Sequence, residues 1–188
     1  MRRLILFMHT TLDGFVAGPN GEMDWIKVGD EIFDYAAQRT QEADTALYGR
    51  VTYEMMQAYW PGAGQRPNAS KHDIEHSSWY NAVTKVVISA SMQGQLIPKT
   101  RIIGGDVAAE VAKLKQEPGK DILMLGSPGA LQPLIANGLI DEYWLFVNPV
   151  LLGRGIPLFT ETGRKADLAL IRAQAFSSGV VCLHYTLK

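Results

Sequence analysis

The chain has 188 residues, of which 47% are hydrophobic and 20% are charged. These values are typical of a globular protein, and a domain of this length buries roughly 70% of the surface that its unfolded chain exposes. We therefore expect one domain over residues 1–188, ordered nearly end to end.

The charge balance disfavours nucleic acids and anionic membranes as partners. Eighteen basic residues against nineteen acidic ones leave a net charge of −1, so no overall basic field attracts phosphate-rich surfaces. Cys182 is the single cysteine and cannot form an internal disulfide. The apolar run Leu4 to Met8 is too short for a signal peptide or a membrane span. A reducing cytoplasm is the expected compartment.

Strands and helices are predicted to alternate up to Asp141. Leu4–Met8 is apolar on both faces, which is typical of a strand in a sheet covered on each side by helices. The further predicted strands are Thr45–Tyr48, Lys85–Ser89, Thr100–Ile103 and Ile122–Leu125. The predicted helices run from near Asp30 towards Ala43, and over Arg50–Tyr59, Val107–Lys115 and Pro128–Ala136.

Irregular segments are predicted between these elements. The glycine-rich stretch from Asp13 to Glu22 indicates a loop, and Trp60–Gly64 is expected to stop the second helix. The residues from there through Lys71 are predicted to form a surface loop.

After Asp141 the pattern changes to strands. Tyr143–Val147 is predicted as a long strand, and Leu168–Phe176 with Val180–Leu187 as an antiparallel hairpin. The expected fold is therefore α/β with three layers. Its mixed, mostly parallel central sheet carries helices on both faces and ends in a C-terminal antiparallel hairpin.

Three predicted strand-to-helix junctions carry glycine: Gly49-Arg50, Gly104-Gly105-Asp106 and Gly126-Ser127-Pro128. A helix N-terminus offers free N–H groups and partial positive charge, and glycine lets a phosphate approach closely. Each junction alone is more typical of a tight turn, and none matches G-x-G-x-x-G. Together, at the carboxyl ends of parallel strands, they indicate a dinucleotide site.

Arg50 is predicted to select the form of the dinucleotide. A cation at the first position of a helix is unfavourable unless an anion lies near it. Beside Thr52, and within reach of Ser89 or Ser91, its guanidinium suits the 2′-phosphate of NADPH better than the bare ribose of NADH. The alternative is a solvent-exposed arginine with no ligand.

Several segments resemble the reductase domain of the riboflavin-biosynthesis bifunctional deaminase-reductase and, more distantly, dihydrofolate reductase. They occur in the expected order over nearly the whole chain: Asp13–Gly18, Asp24-Trp25, Asp44–Glu54, Gly126-Ser127, Gly138–Glu142, Asn148–Gly153 and Pro157–Phe159. The resemblance implies a dihydrofolate-reductase-like fold, a homodimer and NADPH as hydride donor. It also implies that Asp13 to Trp25 correspond to the mobile loop that closes over the nicotinamide.

The resemblance assigns cofactor contacts to two of the junctions. It places Gly49, Arg50 and Thr52 around the adenosine-side phosphates, and Gly126 and Ser127 under the pyrophosphate and nicotinamide. Ser89, Ser91, Gly104, Gly105 and Gly129 complete the predicted set of cofactor contacts. For a dimer, Tyr143–Val147 and Leu151–Phe159 are expected to supply apolar interface.

The predicted substrate contacts are Asp13, Phe15, Phe33 and Tyr53. Riboflavin reductases tend to carry a lysine or arginine where this chain has Phe15, which disfavours the phosphoribosylated intermediate as substrate. Phe33, Tyr53 and Trp25 are candidates for an apolar wall against a heterocycle, with core packing as the alternative.

Asp30 and Trp25 are the predicted catalytic residues. Asp30 lies at the distance from Trp25 at which dihydrofolate reductase carries the acid that holds and helps to protonate the pterin. Glu31 and Asp34 are its rivals, and a helix N-cap is the alternative role for Asp30.

The remaining histidines and the cysteine predict no metal or thiol site. His72 and His76 are one helical turn apart but lack a persuasive third ligand, and a surface loop or short helix is expected there. His9, late in the first strand, could face the cofactor site. Cys182 is expected to be a buried, unreactive thiol.

The leading hypothesis is an NADPH-dependent reductase of a small planar heterocycle, such as a pterin, a pyrimidine or a related imine. One alternative is a dihydrofolate reductase of folate metabolism. The other is a nucleotide-binding module that keeps the cofactor cleft and has lost turnover.

Overall fold

In the computed structural model, which describes residues 1–160 and 165–188, a single eight-stranded sheet forms the centre of the molecule. The strand order is β5-β4-β3-β6-β1-β7-β10-β9, and neighbours run parallel from β5 to β7. The last two strands pair antiparallel, as the predicted C-terminal hairpin requires. The expected mixed, mostly parallel sheet is confirmed.

The strands of this sheet are β1 Leu4–Thr11, β3 Ala43–Gly49, β4 Thr84–Ile88, β5 Thr100–Ile103, β6 Asp121–Met124, β7 Glu142–Asn148, β9 Leu168–Ala175 and β10 Val181–Leu187. Two short strands, β2 Phe15–Ala17 and β8 Ile156–Pro157, pair with each other outside it. The Asp13 to Glu22 segment therefore contains a strand, which the glycine-rich sequence did not predict.

The helices are α1 Asp30–Glu42, α2 Arg50–Ala63, α3 Lys71–Ala82, α4 Val107–Gln116 and α5 Pro128–Ala136. Alternate residues of the strands point to opposite faces of the sheet. Leu4, Leu6 and Met124 pack with α4 and α5, whereas Ile5 and Leu123 pack with α1 on the other face. Helices α2 and α3 lie on that same face, so the predicted three layers are confirmed.

Helix α2 ends within the predicted stop at Trp60–Gly64, but four residues later than its predicted end at Tyr59. Helix α2 continues to Ala63 with Pro61 inside it. Proline costs a helix one backbone hydrogen bond, but packing of this last turn outweighs that loss, because Ala63 is fully buried and Trp60 packs on His76 of α3.

A helix of 12 residues, α3, occupies the region of His72 and His76, where a surface loop or short helix was expected. Its N-terminus is a capping box, in which the Ser70 hydroxyl accepts from Asp73 N and the Asp73 carboxylate accepts from Ser70 N. Helix α3 also forms part of the wall of the candidate site.

The expectation that Tyr143–Val147 supplies dimer interface is also wrong. These residues belong to β7, which is paired on both edges, with β1 and with β10. Tyr143, Trp144 and Phe146 are buried. Among the helices that the structure describes, none is long and apolar enough to cross a membrane.

Candidate active site

The candidate site lies at the carboxyl edge of the parallel strands. There the chain leaves β3 at Gly49 to enter α2, and leaves β6 through Gly126 and Ser127 to enter α5. Strands β1 and β7 end beside these turns, at Thr11 and Asn148. Parallel α/β sheets bind ligands at this edge because the strand ends and helix N-termini converge there.

Ser127 joins the starts of α2 and α5. Its hydroxyl accepts a hydrogen bond from Gly49 N at 2.9 Å and donates one to Thr52 Oγ1 at 2.7 Å. A Cβ on Gly49 would lie 2.6 Å from the Ser127 side chain, so only glycine allows this approach. Gly49, Thr52, Gly126 and Ser127 thus come together, and we call them, with the first turns of α2 and α5, the cradle.

Ser127 is also one of two non-glycine residues with positive φ in the described chain, at 69°. This left-handed conformation costs an ordinary residue about 1–2 kcal/mol. It turns the side chain towards Gly49, so the hydroxyl makes no capping bond to α5. Gly126 before it has a φ of 87°, and a Cβ there would lie 3.0 Å from Thr52 Cγ2.

The first turns of α2 and α5 differ electrostatically from those of the other helices. Neither has a side-chain cap or an acidic residue among its described residues. Asp30 and Glu31 lie in the first turn of α1, Asp73 in that of α3, and the Asp106 carboxylate accepts from Ala109 N at the start of α4. The first turns of α2 and α5 therefore have no acidic residue of their own to offset the positive end of the helix dipole.

The other predicted cofactor residues occupy less distinctive positions. Gly104 faces the Gln93 side chain, which a Cβ would approach to 2.9 Å. Gly105 and Gly129 are exposed, with open space where a Cβ would point. The Ser89 hydroxyl is buried and lies 3.1 Å from that of the exposed Ser91.

Arg50 begins α2, as predicted, and its guanidinium is about half exposed. Its Nη1 lies 2.9 Å from a Glu54 carboxylate oxygen, one helical turn away. Exposed pairs with this spacing contribute about 0.3–0.5 kcal/mol, so an incoming phosphate would displace Glu54 at little cost. Strand pairing of Gly49 with Ile88 brings Arg50 and Ser89 to adjacent strand ends.

A cavity of about 140 Å³ lies beside the cradle, between α1 and α3 and over β1 and β6. Leu125, which lines the cavity, directly precedes Gly126 of the cradle. We call this space the ring cavity. It is lined by Phe7, His9, Ile32, Phe33, Ala36, Ala37, Thr40, His72, Glu75, His76, Leu123 and Leu125.

Aromatic rings dominate the walls of the ring cavity. Phe33 of α1 stacks on His72 of α3 with ring centroids 3.7 Å apart and planes within 3°. His9 stacks on Phe146 at 4.9 Å. Phe33 therefore lies where a predicted substrate contact should lie, and it meets a histidine that the sequence did not connect with it.

Desolvation favours the neutral form of the three histidines that line the cavity. Burial lowers the pKa of His9 to about 4. The pKa of His76 is lowered to about 3, mainly by burial and to a smaller extent by repulsion from the nearby His72. Burial also lowers the pKa of His72. No group of three or more His, Cys, Asp or Glu in the described residues could hold a metal ion.

Asp13 and Phe15 lie in the segment that crosses the carboxyl edge. The Asp13 carboxylate accepts hydrogen bonds from Thr11 Oγ1 and from the backbone N–H groups of Leu152 and Gly153. These bonds lower its pKa. Asp13 thus ties this segment to the loop after β7, while Phe15 packs over Gly155 next to β8.

Asp30 and its rivals do not line the ring cavity. Asp30 is exposed at the first position of α1, and Gly29, not Asp30, occupies the N-cap. Glu31 accepts hydrogen bonds from Ser177, and Asp34 pairs with Lys71. In this conformation the catalytic role of Asp30 stays a prediction without a contact to the cavity.

Trp25 and Tyr53 are also outside the residues that line the cavity. Trp25 is half-buried, and its indole N–H donates to Glu22 O at 3.2 Å. Tyr53 is buried in the core with Tyr48 and Tyr80, which was the alternative to a substrate contact.

Sequence reasoning missed two members of the site, Asn148 and His76. The spacing of His72 and His76 places them on one face of a helix, but only the packing of α3 shows that this face is directed towards α1. Asn148 has no sequence signal for its role, since its partners come from β1 and from the segment before α1. Cys182, by contrast, is buried as expected, and burial raises the pKa of its thiol to about 12.

Comparison with known proteins agrees with the observed fold. Protein YyaP of Bacillus subtilis (strain 168) is 35% identical over 188 residues, covering 98% of this chain and 94% of YyaP. A putative riboflavin biosynthesis protein from Shewanella sp. PV-4 superposes with a TM-score of 0.70 at 21% identity, covering 99% of both chains.

A dihydrofolate reductase from Enterococcus faecalis, solved with NADP(H), superposes with a TM-score of 0.65 at 12% identity, covering 99% of this chain and 96% of that one. The expected dihydrofolate-reductase-like fold is therefore confirmed. The model of the RibD C-terminal domain matches residues 2–182. The chain thus belongs to the RibD C-terminal domain family.

Proposed function

We propose that this protein is an NADPH-dependent reductase that reduces a small planar heterocycle. The observation that carries the proposal is that the cradle and the ring cavity share one chain segment, since Leu125 of the cavity lining directly precedes Gly126 of the cradle. The cradle has uncapped helix N-termini suited to phosphate, and the ring cavity next to it has aromatic walls suited to a flat ring.

The residues of the cradle fit a phosphorylated dinucleotide. The first turns of α2 and α5 carry no acid and no side-chain cap, and Gly49 and Gly126 let the Ser127 and Thr52 side chains approach the backbone closely. Arg50 supplies a guanidinium for a 2′-phosphate, in exchange for its weak pair with Glu54. Bound NADPH would supply the hydride, and the protein would supply position and a dry site.

The chain's own residues orient the reactants and exclude water. Lys27 N donates to Asn148 Oδ1 at 2.8 Å, which anchors the end of the 13–29 segment against β7. Asp13 anchors its beginning. This double attachment holds the segment across the carboxyl edge, where it would shield a bound nicotinamide ring from solvent.

The ring cavity disfavours an anionic substrate. Its described lining contains no lysine or arginine, and Glu75 adds a carboxylate at its edge. A phosphoribosyl group would find no counter-charge there, which agrees with Phe15 in place of a basic residue. These features support an uncharged heterocycle over the phosphoribosylated riboflavin intermediate.

A fluorescence titration with NADPH and with NADH tests the cofactor. NADPH is expected to bind more tightly, and absence of binding to either would contradict the proposal. A panel of pterins, pyrimidines and cyclic imines, followed at 340 nm, then tests turnover. Tight NADPH binding without oxidation across the panel would favour a binding module that has lost turnover.

We also propose that two copies of this chain associate through the outer edge of β9. None of the described strands pairs with that edge, and Leu168, Leu170 and Ile171 are exposed by 36%, 56% and 52%. Leu151, Ile156 and Phe159 add exposed apolar surface, as expected for a dimer interface. Light scattering should give twice the chain mass, and Leu170→Glu should give one chain mass, whereas Leu96→Glu, at a 99% exposed site, should not.

A further inference from the structure

Asn148 is fully buried at the end of β7, and its amide can be assigned from its contacts. Its Oδ1 accepts from Lys27 N at 2.8 Å. Its Nδ2 lies 3.2 Å from Thr10 O and 3.1 Å from Phe146 O. Exchanging the two amide atoms would place an oxygen against two carbonyl oxygens and an NH2 against an N–H, so only one orientation satisfies the network.

This orientation determines where His9 carries its proton. The same Nδ2 lies 3.4 Å from His9 Nδ1. A proton on Nδ1 would point at this NH2 group, which cannot accept it, so the neutral ring carries its proton on Nε2. The stack on Phe146 holds the ring plane. The pKa of about 4 keeps the imidazole neutral at pH 7.

His9 Nε2–H is thus a donor that the fold leaves free. Among the residues that the structure describes, none accepts a hydrogen bond from it, and His9 lines the ring cavity. The rest of the cavity lining is aromatic or aliphatic apart from Thr40 and the groups on α3. A free donor beside apolar walls suits a ligand that has an acceptor atom on a flat ring.

The size of the ring cavity limits what it admits. At about 140 Å³ it is close to an engineered apolar cavity of about 150 Å³ that binds benzene, so it takes one six-membered ring. A second ring or a sugar would have to remain outside. With no lysine or arginine in its described lining, the cavity also selects against a negatively charged ring substituent.

We propose that His9, oriented by Asn148, is the specificity residue of the ring cavity. Its Nε2–H donates to a carbonyl oxygen or ring nitrogen of an uncharged single ring. Asn148 is a positioning residue, since it acts only through His9. This inference rests on the proposed function for the statement that the ring cavity is the substrate site.

Two measurements on the wild-type protein and one variant test the proposal. Long-range proton–nitrogen correlation of the 15N-histidine-labelled protein reports the tautomer of His9 directly. Titrations then compare three probes: benzamide carries a carbonyl acceptor, benzoate carries a negative charge, and benzene is the bare ring. His9→Phe keeps a ring on Phe146 and removes only the donor; His184→Phe, at the opposite edge of the sheet, is the matched control.

We expect the Nε2–H tautomer, and benzamide that binds more tightly than benzoate and shifts the His9 nitrogen resonances. His9→Phe should weaken benzamide about fivefold to tenfold, as for loss of one neutral hydrogen bond, and change benzene less than about twofold. His184→Phe should leave all three probes unchanged.

An Nδ1–H tautomer would overturn the proposal even if His9→Phe fails to fold. So would failure of benzamide to bind the wild-type protein, equal losses for benzamide and benzene in His9→Phe, or tighter binding of benzoate. NADPH is titrated in the same samples. If NADPH does not bind but the benzamide results hold, the proposed reductase function is wrong while His9 keeps its role. If NADPH binds but the benzamide results fail, only the role of His9 is wrong.

Discussion

The two edges of the parallel sheet both carry a cavity, and the larger one is not the candidate site. At the amino edge a cavity of about 580 Å³ is lined by Arg2, Asp44, Arg101, Glu117, Lys120 and eleven other residues. Its charges satisfy one another. The Arg2 guanidinium contacts Asp44, donates to Thr45 Oγ1 at 2.6 Å and to Lys120 O at 2.7 Å.

At the carboxyl edge the polar groups are left open. Two helix N-termini lack caps and acids, and His9 keeps a free N–H. The difference teaches that unsatisfied hydrogen-bonding capacity, more than volume, marks a ligand site. A large space between paired charges is compatible with a purely structural role, whereas donors left open beside a cavity can be used by a ligand or by water.

The largest expected effect is a pH dependence of stability that comes more from the histidines of the carboxyl edge than from His184 at the amino edge. The pKa is 6.5 for an ordinary histidine, about 4 for folded His9 and about 3 for folded His76. The unfolded chain therefore binds more protons in this window, and the free energy of unfolding should fall as pH falls from 6.5 to 4. The loss is on the order of 2–3 kcal/mol for each histidine.

Urea denaturation across this pH range measures the loss. His9→Phe should reduce the slope by nearly one proton. His184→Phe should change it less, because Glu142, 2.9 Å from His184, favours the charged ring and opposes the effect of burial on its pKa. Equal slopes in the wild-type protein and His9→Phe would contradict a buried neutral His9.

A matched pair of glycines tests the cradle against the amino edge. Gly126 and Gly119 both have positive φ, and a Cβ would lie 3.0 Å from Thr52 Cγ2 at the first and 2.8 Å from Asp44 Oδ2 at the second. Gly126→Ala should weaken NADPH binding about 100-fold, or about 2.7 kcal/mol. Gly119→Ala should lower stability and leave NADPH affinity within about twofold; similar affinities in the two variants would argue against the cradle.

Arg2→Met tests whether the amino edge is structural. The Arg2 side chain is 6% exposed but its partner Asp44 is 43% exposed, so screening reduces the ionic part of the loss. We expect a loss of about 2 kcal/mol in the free energy of unfolding, mainly from unsatisfied acceptors. NADPH affinity, measured on the folded variant, should not change. A specific loss of NADPH affinity in Arg2→Met would indicate that the amino edge binds the cofactor, and would contradict the proposed site at the carboxyl edge.

The smallest expected effect concerns the choice between the two nicotinamide cofactors. Arg50→Gln should raise the dissociation constant of NADPH about tenfold, or about 1.4 kcal/mol, and leave that of NADH unchanged. Arg101→Gln is the control, because Arg101 also forms exposed ion pairs, with Glu110 and Glu117. If Arg50→Gln weakened the binding of NADPH and NADH equally, Arg50 would not recognise the 2′-phosphate.

Local patterns predicted most of the fold but failed where packing overrides them. The apolar runs predicted β1, β4, β5 and β6, since a buried strand needs side chains that are apolar on both faces. The full length of α3 was not predicted, because Lys71–Ala82 shows no helical stripe of apolar residues, although the Ser70 and Asp73 pair signals its start. Pro61 made the predicted α2 too short, because packing on α3 allows the helix to continue beyond the proline.

The sequence by itself determined the strand–helix alternation and the positions of the junction glycines, because these depend on side-chain polarity and backbone freedom within a few residues. Only the tertiary structure decided which junctions form a cradle and which ring lines the cavity. Ser127 meets Gly49 across 78 positions, and Asn148 meets His9 across 139. Such contacts arise from strand order in the sheet, which no local pattern encodes.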